Sequence, residues 1–476
     1  MGSQLKSAAR RTSCLALAAL TAACADTATA PTVSPLMPDQ PAASRISEAT
    51  ETGTYLVKLG SASGMSTASA SIAAMGARVV RQIDALGLLY VQELSDANAA
   101  TLAADPKVSI VRDRLMRWLP EPTPVQPQLV TAVDGPAVTG TDQSGAQFFN
   151  QYQWSLKVTR ANQAWVPSNG GAGETVCVLD TGVDPGHLDL AGTVDPTRTV
   201  TEIFTPRFAS DLTPDDYNFH GTFVSAQIRS NGIGMASIAP NATLCSIKVL
   251  SEDGNGTFGD IIYGIYLATQ FNADVINLSL GGYVQETNPA NGPLLSAFQG
   301  VIDLARQSGT MVVAASGNDG FNMGAIREAL GIINIPGQMR GVISVGATGP
   351  YRQKNFDLLT SYSNFGALDG LDLVAPGGNG GLPEGVREDF IISACSRFAL
   401  GGSCASGRTY LFGNGTSFAS PLVAGAAAVV ESTIGSVPTA ALESCLLSNT
   451  DAVGTPRARY GRGRLNVLKA SQCAAF

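Results

Sequence analysis

A series of short apolar runs decides what this chain can fold into. TVCVLDTG (175–182), TLCSIKVL (243–250), DVINLSLG (274–281), TMVVAASG (310–317) and GVISVGAT (341–348) are rich in Val and Ile, and each closes on a polar residue or Gly. A strand that alternates apolar and polar residues buries one face, whereas a strand apolar throughout must bury both. Between the runs lie helical stretches such as DIIYGIYLATQF (260–271) and LLSAFQGVIDLARQSG (294–309). Strands and helices in alternation predict an α/β fold: three layers, with a mainly parallel central sheet covered on both sides. Sites in such sheets gather at the carboxyl ends of the strands, which singles out Asp180, Asn277, Ser279 and Asn318.

Composition narrows the function classes. With 476 residues, 45% of them hydrophobic and only 14% charged, the chain can bury one large core and a smaller one. The net charge is −8, and no cluster of Lys and Arg interleaved with aromatics occurs, so a nucleic-acid partner is not expected.

The first 24 residues read as a signal for export. Lys6, Arg10 and Arg11 precede the apolar run Cys14–Ala23, too short to span a bilayer but suited to a secretory h-region. The run closes on LTAAC, similar to a bacterial lipoprotein box ending at Cys24, and two outcomes stay open: lipidation of Cys24, giving a transient anchor, or ordinary signal-peptidase cleavage nearby. No later segment reads as a membrane span, so the mature protein is expected to be soluble, monomeric, and secreted or periplasmic. Cys177, Cys245, Cys395, Cys404, Cys445 and Cys473 form an even set, and disulfides are expected in an exported chain. Cys395 with Cys404 and Cys445 with Cys473 are the expected pairs. A zinc site lacks support, since there is no CxxC and only two His.

Texture divides the rest. Residues 25–52 are rich in Thr, Ala, Pro and Ser and read as a flexible linker. Residues 53–118 run strand, helix, strand, helix, strand, enough for a small α+β domain. Residues 119–150, LPEPTPVQPQLVTAVDGPAVTG and onward, read as a second linker and a candidate cleavage region, and residues 151–476 form the large domain.

Acid–base chemistry through a histidine has two candidates. His187 lies in a Pro- and Gly-rich turn and is expected at the surface; His220, in NFHGTFVSAQI, projects from a helix start. Ser417 sits where a Gly- and Asn-rich turn enters an apolar helix, LFGNGTSFASPLVAG, and is either a helix cap or a nucleophile.

The ordered set VLDTGVD, HGTFVSA, AASGNDG and GTSFASPLVAG resembles the subtilisin family of serine proteases, and the resemblance extends over nearly all of residues 150–470. It implies that Asp180, His220 and Ser417 form a catalytic triad, with Asn318 as the side-chain oxyanion donor. Ser417, Phe418 and Ala419 do not form the GxSxG of an esterase elbow, and the order Asp, His, Ser differs from that fold. By the same resemblance Ser279, Leu280, Gly281 and Gly282 line one wall of the substrate cleft. Ala315, Ser316 and Gly317 line the other, and Asn334 stands near the pocket floor. Polypeptides are then the substrates, with broad specificity and an apolar preference before the scissile bond.

The small domain looks like the propeptide that precedes such catalytic domains, ferredoxin-like in fold, assisting folding and inhibiting the site until self-cleavage. Phe223 and Leu422 replace two His common in the family. No cofactor is required; calcium is an optional structural ion, although QIRSNGIGMASIAP (227–240) is shorter than the family's calcium loop, and no metal ligand is assigned. The acidic SDLTPDD (210–216) is expected to be a solvated loop with weak calcium affinity at most.

Overall fold

The computed structural model describes residues 50–120, 128–138, 140–366, 370–380, 385–454 and 457–474. The export signal, Cys24 and nearly all of the first linker lie outside them, as do residues 121–127 and 139 of the second.

The N-terminal elements are β1 (Thr50–Leu59), α1 (Met65–Ala74), β2 (Arg78–Ile83), β3 (Leu88–Gln92), α2 (Asp96–Ala103) and β4 (Val108–Arg117). They form an antiparallel sheet in the order β2-β3-β1-β4, the ferredoxin-like arrangement. The sequence reading missed β2. RVVRQI carries Arg at two positions and lies on the sheet edge, where little of it is buried, so its alternation is weak. Strand alternation splits the sheet's two faces. Tyr55, Val57, Leu89 and Val91 pack with Met65, Ile72 and Ala99; Leu56, Leu88 and Tyr90 face the larger body.

That body contains β5 (Leu129–Thr131), β6 (Thr175–Asp180), β7 (Val194–Thr201), α3 (His220–Ile228), β8 (Thr243–Lys248), β9 (Asn255–Thr257), α4 (Phe258–Gln270), β10 (Val275–Leu278), β11 (Gly282–Gln285), α5 (Gly292–Gln307), β12 (Met311–Ala315), β13 (Ile332–Ile335), β14 (Val342–Thr348), β15 (Leu373–Pro376), β16 (Ile391–Ala394), β17 (Thr409–Gly413) and α6 (Thr416–Ile434). Its main sheet runs β15-β14-β12-β10-β6-β8-β7, and every neighbouring pair is parallel. Each strand feeds two cores. Val176, Val178, Val275 and Val313 pack on the side of α6, and Cys177, Leu179, Ile276 and Val312 on the side of α4 and α5. This is the three-layer arrangement expected of strands apolar on both faces.

Helix α6 is built of small residues because it is enclosed. A Cβ on Gly425 would lie 1.8 Å from Ile238 Cγ2, so only Gly allows that approach. The helix is long and apolar enough to cross a membrane, but 83% of its apolar window is buried inside the protein, as befits a core helix.

Within the stretch read as a second linker, β5 forms a strand that pairs with β17. Before it, β4 pairs antiparallel with β9 of the large body. Disulfides join Cys177 to Cys245, directly opposite on β6 and β8, Cys395 to Cys404, and Cys445 to Cys473. The last spans 28 residues, a loop whose closure in the unfolded chain corresponds to about 3–4 kcal/mol.

Candidate active site

Three elements deliver three side chains to one end of the sheet. Asp180 is the last residue of β6, His220 the first of α3, and Ser417 the second of α6. His220 Nδ1–H donates to the Asp180 carboxylate, 2.8 Å from Oδ1 and 3.0 Å from Oδ2, and both residues are buried. A bond from Nδ1 leaves Nε2 as the basic nitrogen. Thr181 N–H donates to Asp180 Oδ1 at 2.7 Å.

The start of α3 is tied to β6 at close quarters. A Cβ on Gly221 would lie 2.1 Å from the Gly182 carbonyl oxygen, which explains why Gly follows the histidine. Thr181 Oγ1 accepts from Gly221 N–H at 3.0 Å and donates to Asp216 at 2.9 Å. Asp216 also accepts from the N–H groups of Asn218, Phe219 and Thr222, capping the helix that carries His220. These bonds hold Phe219 at φ 97°, a costly conformation for a bulky residue. Burial raises the pKa of Asp216 above the usual carboxylate range. The buried Lys248 Nζ donates to the carbonyls of Thr181 and Asp215 at 2.8 and 3.0 Å.

Ser417 Oγ donates to the Ser279 carbonyl at 3.1 Å, and among the described residues no hydrogen bond joins it to His220. The next residue, Phe418, has its ring 5.6 Å from that of His220 and 4.0 Å from that of Phe223. Phe223, in place of the family's His, therefore supports this stack from beneath. Pro421 lacks the N–H that would pair with the Ser417 carbonyl in a regular helix. The Ser279 hydroxyl fills that place at 2.7 Å, and is itself held by Asn277 Nδ2 at 2.9 Å.

Asn318 follows β12. Its Oδ1 accepts from the N–H and the hydroxyl of Thr416, each at 2.8 Å, so the acceptor end faces the helix start and Nδ2–H is left to donate elsewhere.

Two buried amides tie together the segments that follow β10 and β12. Asn334 and Asn364 both donate through Nδ2 to the Ser316 carbonyl, at 2.7 and 2.9 Å. Asn334 Oδ1 would lie 2.9 Å from a Cβ on Gly281, and Asn364 Nδ2 2.4 Å from one on Gly317, so each amide abuts one of these glycines. Ala315 pairs with Val345 in the main sheet, and Leu280 is buried.

Between Gly281 and β9 lies the end of the N-terminal domain. Leu115, Met116 and Arg117 pair with Thr257, Gly256 and Asn255. Trp118 N–H donates to the Gly254 carbonyl at 3.0 Å, and Gly281 N–H donates to the Trp118 carbonyl at 3.0 Å. The Trp118 indole is buried edge-on to Phe258, 5.2 Å between centroids, and its Nε1–H donates to the Gly256 carbonyl at 3.0 Å. Met116 occupies the space above Gly282, where any Cβ would collide with it.

Residues 171–463 match the model of the Subtilase family. The chain belongs to that family. It is 33% identical to a thermophilic serine proteinase of Bacillus sp. (strain AK1) over 288 residues, 60% of this chain and 59% of that protein. To subtilisin DY of Bacillus licheniformis it is 31% identical over 321 residues, 67% of this chain and 98% of that protein. In structure it is similar to the epidermin leader peptide processing serine protease of Staphylococcus aureus, with a TM-score of 0.69 at 24% identity over 88% of this chain and 97% of that one. As a subtilase the chain is a subtilisin-like serine protease.

Two expectations fail at this subtilase's periphery. His187 is fully buried, not at the surface. Its Nδ1 accepts from Asp189 N–H at 3.2 Å, its Nε2–H donates to the Thr409 carbonyl at 3.1 Å, and burial lowers its pKa; the ring is a neutral structural strut. SDLTPDD is not simply solvated either. Asp211 and Asp216 are buried, Asp211 accepting from the N–H groups of Arg207 and Phe208 at 2.8 and 3.0 Å.

The shortened calcium loop does not fit a cation. The N–H groups of Ile233, Gly234 and Met235 converge on the Asp189 carboxylate at 2.7, 3.0 and 2.8 Å, and the Tyr410 hydroxyl adds a bond at 2.6 Å. Gln143 clamps the same loop, donating to the Ser230 carbonyl at 2.6 Å and accepting from Ser237 N–H at 2.8 Å. A calcium site needs converging oxygens; here hydrogens converge on the one carboxylate.

Sequence reasoning missed Asp216, Asn364 and Trp118. Asn364 stands within YSNFG, part of the resemblance, so a signal existed; Asp216 and Trp118 carry none, because each acts through residues remote in the chain.

Proposed function

We propose that the chain is an exported serine endopeptidase made as a self-inhibited precursor. The observation that carries this reading is the segment Leu115–Trp118, hydrogen-bonded as a strand between Gly254–Thr257 and Gly281, two residues from the Ser279 that bonds Ser417. A substrate polypeptide would bind by the same strand addition, through main-chain hydrogen bonds. Residues 53–118 then act as the inhibitor, and cleavage in 119–150 releases it.

In the reaction, Ser417 Oγ exchanges the Ser279 carbonyl for His220 Nε2 by rotation about its Cα–Cβ bond. His220 takes the hydroxyl proton as Oγ bonds to the scissile carbonyl carbon, and Asp180 stabilises the imidazolium. Asn318 Nδ2–H and the unpaired N–H of Ser417 at the helix start donate to the oxyanion. His220 then gives its proton to the departing amine as the C–N bond breaks, and water, deprotonated by His220, hydrolyses the ester. No cofactor is needed. The small residues of the two walls favour an apolar side chain before the scissile bond, and the Trp118 pocket favours an aromatic residue further upstream. Export rests on the first 24 residues and agrees with the disulfides; if Cys24 is lipidated, maturation frees the enzyme from the membrane.

Expression of the wild-type chain and of Ser417→Ala, followed by mass and by peptide hydrolysis, tests the proposal. The wild type is expected to lose its N-terminal domain, hydrolyse peptides and be inactivated by a serine-directed phosphonate, while Ser417→Ala keeps the domain and is inert. Identical processing and phosphonate-resistant hydrolysis in both would refute it.

A further inference from the structure

At the amino ends of the strands, opposite the catalytic end, three carboxylates meet. Glu174 immediately precedes β6, Asp274 immediately precedes β10, and Glu431 lies in the last turns of α6. One oxygen of each lies within 4.8 Å of the others. Glu431 is 3% exposed, directed at the other two carboxylates from the core side, and its Oε2 has no hydrogen-bond partner among the described residues.

Asp274 is held in place, accepting from Thr175 N–H at 2.7 Å. Arg198 is the cation whose field reaches Asp274, but its guanidinium donates to Thr175 Oγ1 at 3.1 Å and pairs with Asp195 at 3.2 Å. Three acidic groups are thus gathered beside a guanidinium engaged elsewhere. A buried carboxylate oxygen without a donor costs several kcal/mol unless a proton or an ion meets it. Helix α6 places this oxygen there, with its other end in the catalytic site.

We propose that Glu174, Asp274 and Glu431 form a binding site for a divalent cation of the hard, oxygen-preferring class, calcium foremost. Calcium accepts carboxylate and water oxygens in flexible geometry, whereas magnesium demands a near-ideal octahedron. Three carboxylates on separate elements, open to water on one side, suit the more flexible ion. Glu174 and Asp274 are only partly buried, so water completes the coordination from outside. The site staples β6 and β10 to α6 and is separate from the shortened loop whose N–H groups enclose Asp189.

The test uses the full chain carrying Ser417→Ala, stripped with EDTA and returned to metal-free buffer at pH 8. Calorimetric titration with CaCl2 is expected to show one site with a dissociation constant on the order of 10⁻⁴ M. Millimolar CaCl2 should raise Tm by about 2 °C, and MnCl2 by less. Adding Glu431→Gln should abolish both the calorimetric signal and the Tm shift, while Tm in EDTA stays at or above that of the parent, because a repulsive charge is gone. Glu174→Gln, at the more open position, should weaken binding at least tenfold and serves if Glu431→Gln does not fold. Absence of calcium binding in the parent, or binding that survives both substitutions, would overturn the proposal.

Discussion

Ser279 and Ser417 are joined by two hydrogen bonds running in opposite directions: the Ser279 hydroxyl donates to the Ser417 carbonyl at 2.7 Å, and the Ser417 hydroxyl donates to the Ser279 carbonyl at 3.1 Å. The first bond exists because Pro421 supplies no N–H. Ser279→Ala should therefore leave a buried carbonyl unpaired and lower stability by about 1–3 kcal/mol, read as a fall in Tm. Adding Pro421→Ala restores an N–H four residues along. The double variant should recover part of the loss, and a purely additive outcome in the double-mutant cycle would refute the assignment.

Asp180→Asn should lower kcat about 10⁴-fold by favouring the wrong imidazole tautomer, and Asn318→Ala about 10² to 10³-fold through loss of one oxyanion donor. Both magnitudes are those of serine proteases with this chemistry, the second from a subtilisin. Steady-state hydrolysis of a chromogenic peptide checks them; KM is expected to change little in either variant.

Two buried carboxylates face each other where the N-terminal domain meets α4. Asp113 accepts from Gly259 N–H at 3.1 Å and has its pKa pushed up to about 6 by burial; Asp260 is pushed up to about 8, first by burial and then by the charge of Asp113. Groups whose folded pKa is raised contribute fully at pH below their ordinary value of 3.8, and that contribution is lost as pH rises through the folded values. The N-terminal domain should thus hold most tightly below about pH 4 and loosen by tenfold or more towards pH 8.5. Hydrogen exchange at Leu115–Arg117 in the full Ser417→Ala chain reads this directly. Asp113→Asn should flatten the dependence, and exchange independent of pH, after correction for intrinsic rates, would contradict it.

Trp118→Ala removes the largest apolar anchor between the domain and the cleft. Truncating a buried Trp costs about 3–5 kcal/mol, so the variant should expose Leu115–Arg117 to exchange and to added protease while the Tm of the large body changes little. Trp118→Phe keeps most of the apolar contact and loses only the bond from Nε1, so it should lie near the wild type.

Much was legible before any coordinates. Runs apolar on every residue require burial on both faces, and the strands they became carry Asp180, Asn277 and Asn318 at or just beyond their ends. The spacing of 395 to 404 and of 445 to 473 anticipated two disulfides, and the third follows from β6 lying beside β8. What escaped was decided by groups distant in the chain. RVVRQI is a strand because β3 pairs with it, and His187 is buried because Thr409 and Tyr410 close over it.

The amino-acid order by itself determined the layers, the identity of the chemical groups and the helix starts on which His220 and Ser417 sit, because periodicity and capping act over a few residues. Only the tertiary structure decided which oxygen each hydroxyl meets, which carboxylates cap and which crowd, and that Trp118 fills a pocket more than a hundred residues away. Those outcomes depend on desolvation and on partners brought together by packing, and neither quantity is local to the chain.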